Sequence, residues 1–267
     1  MSPAVAAGLD GSPESLAAVE WAAREALLRG AELMIVHAGD QTPYEYVPLG
    51  RPADMLLQVQ ADLMDRHTGL TVAVHQVPGP SAAALSAAAD EAELLVLGTR
   101  GPGRAAGFLL GSVARAVVAH AGRPVVLVRA GDGATDPVGT ASGTTACHDV
   151  VVGIDLRDPH DTVLAFAFEA ASRRAAALRV VQGRNAPAHS AAVAALRPWR
   201  EKFPDVEVIE QSVIGTAGSH LADASRDASL VVLGRRGRAA SVGPQIGPVT
   251  HALLRHAKAP VVVVPHD

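Results

Sequence analysis

The feature that most constrains this chain is that it repeats itself. Gly98, Gly101, Gly111 and Pro124 recur as Gly234, Gly237, Gly247 and Pro260, each 136 residues further on, and Gly79 recurs as Gly215 at the same offset. Nearer the start the offset is 145, from Asp10 to Asp155 and from His37 to Gln182, so nine extra residues enter the first half between His37 and Gly79. A repeat of that period in 267 residues implies two homologous domains of ordinary size. The extra residues fall in 40–50, a stretch rich in turn formers that carries both tyrosines; it reads as a cover for a site or as a solvated excursion, with the loop running to Ala53. Residues 131–147, rich in Gly, Thr, Ser and Asp and without periodicity, read as a linker between domains 1–130 and 148–267.

Each half alternates short apolar runs with helical periods. In the first, residues 5–9, 32–37, 71–75, 93–97 and 125–128 predict strands; runs apolar at nearly every position belong to strands covered on both faces. Ser12 as N-cap, Pro13 in the first turn and Glu14 at the positive end predict a helix to Arg29, ended by Gly30. Its buried face is expected to hold Leu16, Val19, Ala23, Ala26 and Leu27. Further helices are expected over 55–67, from Ser81 to near Glu91, and from Ser112 to His120. In the second half, residues 150–155, 178–181, 206–209, 230–233 and 261–264 supply the strands. Alternating strands and helices predict an α/β fold: two tandem doubly wound domains, each a five-stranded parallel sheet flanked by helices. In the order 3-2-1-4-5, strands one and four meet at the switch point where ligands bind, which sets Asp10 beside Gly98.

At that point the first half reads Gly98-Thr99-Arg100-Gly101, nine residues, then Gly111-Ser112 and the helical run from Val113. Strand, glycine loop and helix start together present backbone N–H groups and a positive helix end to a phosphate. Gly98 at the strand exit is expected to take positive φ and to leave bare backbone for a ligand. Ser112 is expected to cap the helix and to offer its hydroxyl to a phosphate oxygen. A plain strand–helix link needs only ~2–6 residues, so the nine-residue interval has a further task. Arg100 and Arg104 either bring charge to phosphates or face water.

Taken whole, the string G-x-x-G, nine residues, G-S, then Arg123-Pro124 and an apolar strand, resembles the nucleotide-binding signature of the universal stress protein family, in its ATP-binding branch. The resemblance implies ATP at the ends of strands one and four, accompanied by Mg²⁺ or Mn²⁺. It implies Asp10 near the adenosine end and the backbone of Ala38 at adenine. Gly98, Arg100, Gly101, Gly111, Ser112 and Val113 would surround the phosphates. It also implies that the last strands pair across a pseudo-twofold axis inside the chain, or across a homodimer.

The second half keeps the glycine spacing but has Pro248 in place of Ser112, and Gln182-Gly183 in place of His37-Ala38. Proline removes both a hydroxyl and an N–H from a helix start, so nucleotide is expected in the first half only.

Other classes find little support. A net charge of −4 gives no field for nucleic acid, and one cysteine, Cys147, excludes an intrachain disulfide. No apolar run approaches the ~18 residues of a membrane span. The N-terminus lacks a basic start, so a cytoplasmic protein is expected. The eleven histidines show no H-x-x-x-H or H-E-x-x-H spacing. The expected function is an ATP-binding stress-response regulator with slow hydrolysis. A weak ATPase or self-phosphorylating enzyme and a non-nucleotide interaction protein stay open, and the residues name no protein partner.

Overall fold

In a computed structural model of the chain, the described residues are 3–39, 52–99, 110–130, 148–154, 161–183, 189–213, 217–236 and 246–266. The chain divides into two compact units, Met1–Ala134 and Thr135–Asp267. The first runs β1 (Ala4–Gly8), α1 (Pro13–Arg29), β2 (Glu32–Ala38), α2 (Pro52–Arg66), β3 (Val72–Val77), α3 (Ser81–Asp90), β4 (Leu94–Thr99), α4 (Ser112–His120), β5 (Val125–Arg129). Its strands pair in the order β3-β2-β1-β4-β5, all parallel. The α/β fold with the 3-2-1-4-5 sheet is therefore present here.

The apolar runs explain why the sheet sits where it does. Leu33, Ile35, Leu94, Leu95 and Val96 are fully buried, as are Val5, Ala6 and Ala7 of the central strand. Complete burial of a Val or Leu side chain stabilises the fold by about 1.5–3 kcal/mol relative to exposure. Ser12 caps α1 through its hydroxyl, which accepts from the Ser15 N–H at 3.2 Å, and Gly30 ends the helix at φ 60°.

The buried face of α1 differs from the expected one. Ser15, Ala18, Val19, Ala22, Ala23 and Ala26 point inward, an i, i+3, i+4, i+7, i+8, i+11 set, while Leu16 and Leu27 are 38% and 40% exposed. Small side chains let the helix lie close to the sheet, and leucines in those places would hold it away. Two other expectations shift: α2 begins at Pro52, three residues before Met55, so the loop ends earlier than Ala53, and β3 extends to Val77. Residues 40–51 and the 131–147 linker lie outside the described residues.

The second unit runs β6 (Asp149–Gly153), α5 (Asp161–Arg173), β7 (Leu178–Gly183), α6 (His189–Lys202), β8 (Val208–Val213), α7 (Ala217–Ala224), a 3₁₀ turn (Ser225–Asp227), β9 (Ala228–Arg236), α8 (Pro248–His256), β10 (Val261–His266). The order is again parallel, β8-β7-β6-β9-β10. Here β8 starts at Val208 rather than Val206, although Val206 is buried ahead of it.

Candidate functional site

In the first unit β1 pairs with β2 on one side and β4 on the other, so the chain leaves β1 at a switch point. A cleft of about 240 Å³ opens there. Val36, Leu85 and Leu97 give it apolar walls, Asp10, Ser12, Glu14, Ser15, Ser81 and Ser112 are its polar residues, and Gly8, Gly98 and Gly111 also line it. Ala38, Val113 and Ala114 complete the part that matters below the helix start. Of the eight residues singled out from the sequence, Asp10, Ala38, Gly98, Gly111, Ser112 and Val113 are brought to this one cleft. Arg100 and Gly101, with Arg104, lie outside the described residues.

Asp10 is held by the turn it starts. Its Oδ1 accepts from the Ser12 N–H at 2.9 Å and the Ser12 hydroxyl at 2.5 Å, and its own N–H donates to Ser15 Oγ at 3.2 Å. Partial burial opposes ionisation, but the bonds from Ser12 and Ser15 outweigh it and keep the carboxyl below its ordinary range. The side chain is exposed, an ionised acceptor at the cleft mouth.

Gly98 is glycine for a different reason from the one expected. It lies inside β4, and the positive-φ glycines among the described residues are Gly11, Gly30, Gly69 and Gly79. A Cβ at Gly98 would stand 2.5 Å from the carbonyl carbon and oxygen of Glu14 and 2.8 Å from the Ser15 nitrogen. The bare backbone is filled by the first turn of α1, which brings that helix start against β4. Gly111 is the opposite case: its φ is −56°, and a Cβ there would meet nothing within 4 Å. Nothing in the described structure requires glycine at that place, and the open side belongs to the cleft.

Ser112 does not cap α4. The N-cap is Gly111, no side chain bonds there, and Ser112 is the first helical residue. The first helical bond runs from the Arg115 N–H to the Gly111 carbonyl at 2.9 Å. The N–H groups of Ser112, Val113 and Ala114 precede that ladder, as the first donors of any helix do, and all three residues line the cleft. The Ser112 hydroxyl, exposed and not used as a cap, joins them.

Next to Ala38 in the chain, the His37 ring bonds the Leu9 carbonyl through Nδ1 at 2.8 Å, just past the end of β1. Ser81, at the start of α3, donates to the Ala38 carbonyl at 3.0 Å. Nothing in the sequence marks Ser81, Ser12 or Ser15 as ligand-side groups beyond the place of Ser81 at a helix start.

The second unit repeats the frame. Gly247 is the N-cap of α8 at φ −60°, a Cβ on it would meet nothing within 4 Å among the described residues, and Pro248 is the first helical residue. Gln182, 6% exposed, donates to Ser212 Oγ at 2.9 Å, and its Oε1 is buried without a partner among the described residues. Asp155 lies outside the described residues. No described helix is long and apolar enough to cross a membrane. No group of three or more His, Cys, Asp or Glu that could hold a metal ion occurs among the described residues.

Comparison with known proteins agrees with this architecture. The model of the universal stress protein family matches residues 1–129 and 182–265. A universal stress protein of Mycobacterium tuberculosis strain H37Rv is 30% identical over 292 residues, covering 97% of this chain and 96% of its own. One from Mycolicibacterium smegmatis is 29% identical over 291 residues, covering 96% and 95%. A solved universal stress protein from Archaeoglobus fulgidus has a similar fold, with TM-score 0.77 at 20% identity, covering 100% of this chain and 99% of that one. Because the family match falls on both halves of the internal repeat, the chain belongs to the universal stress protein family as a tandem of two of its domains.

Proposed function

We propose that the first unit binds ATP in the cleft at the ends of β1 and β4, and that the bound nucleotide regulates the protein. The observation that carries this reading is convergence: the end of β1 (Asp10), the end of β2 (Ala38), β4 (Gly98) and the start of α4 (Gly111 to Val113) meet at one cavity. The chemistry suits a nucleotide along its length. Val36, Leu85 and Leu97 form an apolar slot for a base, the ionised Asp10 accepts from ribose hydroxyls, and the α4 start offers N–H groups to phosphates. Arg100 and Gly101 stand in sequence between the two glycine anchors and belong with the phosphate end. A Mg²⁺ or Mn²⁺ ion would enter as a passenger of the triphosphate, held chiefly by phosphate oxygens and water, with Asp10 kept at the ribose. The ion would screen charge between the phosphates.

Turnover is slow in this reading. Hydrolysis needs a group that positions and deprotonates water. Two described carboxylates line the cleft, Asp10 and Glu14. Asp10 is committed to Ser12 and its carboxyl is held below its ordinary range, which makes it a weak general base at neutral pH, and Glu14 lies in the first turn of α1. We expect rates far below the ~1–100 per second of kinases. For the second unit we infer a non-nucleotide role, because Pro248 withholds the donors that Ser112 offers.

Mass spectrometry of small molecules released by denaturing the purified chain, after incubation with ATP and desalting, tests the assignment. Intact ATP at close to one per chain is expected. A chain that releases no adenine nucleotide, or that turns ATP over several times per second, overturns it.

A further inference from the structure

We propose that Ser81 selects the base, favouring purines with an amino group at position 6 over those with a carbonyl there; this rests on the nucleotide reading of the cleft. Backbone geometry sets the stage. Even-numbered residues of β2 turn their backbone groups toward β1: the Glu32 N–H donates to the Pro3 carbonyl at 3.0 Å, and the Val36 carbonyl accepts from Leu9 at 2.9 Å. Odd-numbered ones turn toward β3, as Leu33 and Gly39 donate to Thr71 at 2.9 Å and Val77 at 3.3 Å. Ala38 is the last even position, and β1 has already ended at Gly8. Its N–H and C=O therefore face the cleft, a donor beside an acceptor. Adenine presents the complement, an acceptor at N1 beside a donor at N6, whereas hypoxanthine and guanine present the reverse.

Ser81 strengthens that choice. A hydroxyl has one proton and two lone pairs, and the Ser81 proton is given to the Ala38 carbonyl at 3.0 Å. What remains toward the cleft, which Ser81 lines, is an acceptor. A 6-amino group meets two acceptor oxygens there. A 6-oxo group meets the same two oxygens with no proton between them, unless Ser81 gives up its bond to Ala38.

Apart from its bond to the Ala38 carbonyl, Ser81 has no evident structural task, and Ser81→Thr, which keeps that bond, controls for its loss. Ser81 follows the N-cap Pro80, where no side chain bonds the helix, and its counterpart in the second unit is Ala217, which starts α7 without a hydroxyl. Titration calorimetry on the full chain with ATP and with inosine triphosphate reads the effect. Native protein should prefer ATP, Ser81→Ala should lose roughly tenfold of that preference with its melting point unchanged, and Ser81→Thr should restore it. An ATP-to-inosine-triphosphate ratio equal in native and Ser81→Ala protein overturns the role of Ser81 while leaving the ATP reading intact. Native protein that binds neither triphosphate overturns both.

Discussion

The two units share a frame and differ in what the frame holds out. Gly111 and Gly247 cap their helices at nearly the same backbone angles, φ −56° and ψ 154° against φ −60° and ψ 157°, and at neither would a Cβ meet a described residue within 4 Å. The first helical residue is then Ser112 in one and Pro248 in the other. In the repeat Ser81 corresponds to Ala217, and the partly exposed His37 corresponds to a buried Gln182. The helix start is thus preserved by packing and cap geometry, which need no ligand. In the proposed reading, binding depends on a few donors and acceptors that can be lost without disturbing that geometry.

The largest expected effect comes from moving the difference across. Ser112→Pro keeps a residue that suits a first turn, so α4 should form, but it removes one hydroxyl and one N–H from the helix start. Hydrogen bonds to a charged group are worth roughly 1.5–3 kcal/mol each, so ATP affinity should fall about 100-fold or more. The native chain should accordingly bind one ATP. Calorimetry that finds two equivalent sites in the native chain, or undiminished affinity in Ser112→Pro, would break the comparison. Pro248→Ser alone should not create a second site, because Gln182 and Ala217 still differ from their counterparts.

A smaller effect separates the two strand glycines. A Cβ at Gly98 collides with the backbone of Glu14 and Ser15, which cannot move without lifting α1. Among the described residues, a Cβ at Gly234 meets side chains rather than backbone, the His266 ring at 2.7 Å and a Val163 methyl at 3.1 Å. Gly98→Ala should cost roughly 1–3 kcal/mol of stability in the first unit, and Gly234→Ala less than about 1 in the second. Each unit carries its own tryptophan, Trp21 in α1 and Trp199 in α6, so Trp→Phe variants let denaturant curves report one unit at a time. Equal losses at the two glycines would mean that β4 and β9 are not differently packed.

That glycine also marks where the sequence could be read and where it could not. Continuous apolar runs such as Leu94 to Leu97 reveal buried parallel strands because burial on both faces leaves no room for alternation. The glycine spacing and the strand order together point to the crevice, since a switch point follows from connectivity alone. The reason for Gly98 lies in a helix start more than eighty residues away in sequence, and local conformation suggested positive φ instead. Ser81 is illegible for the same cause: its acceptor, the Ala38 carbonyl, is 43 residues distant and has no side-chain signature. The outward Leu16 and Leu27 show that hydrophobicity alone misjudges a helix whose approach to the sheet requires alanine.

The smallest effect concerns acid, and it belongs to two carboxylates of the first unit. Asp10 is bonded by Ser12 and Ser15 as described. Glu20 on α1 loses hydration by partial burial, but Arg66 and His67 from the end of α2 bond and attract it, with Arg24 one turn on at 3.2 Å, and the balance keeps its carboxyl below the ordinary range. A folded-state pKa that is depressed stabilises the fold above the unfolded value, near pH 4, and that contribution disappears as pH falls through the folded value. Both contributions are modest, since Asp10 is exposed and the Arg66 side chain is 56% exposed, so solvent screens them. The measurement is the slope of the Trp21-reported denaturant midpoint between about pH 5 and pH 2, where protonation of native carboxylates acts. Glu20→Gln should flatten that slope and Asp10→Asn should flatten it slightly. The Trp199-reported slope should stay as it is in native protein, because neither carboxylate belongs to the second unit. If both substitutions leave the Trp21 slope unchanged, the bonds from Ser12, Arg66 and His67 do not favour the ionised forms in solution.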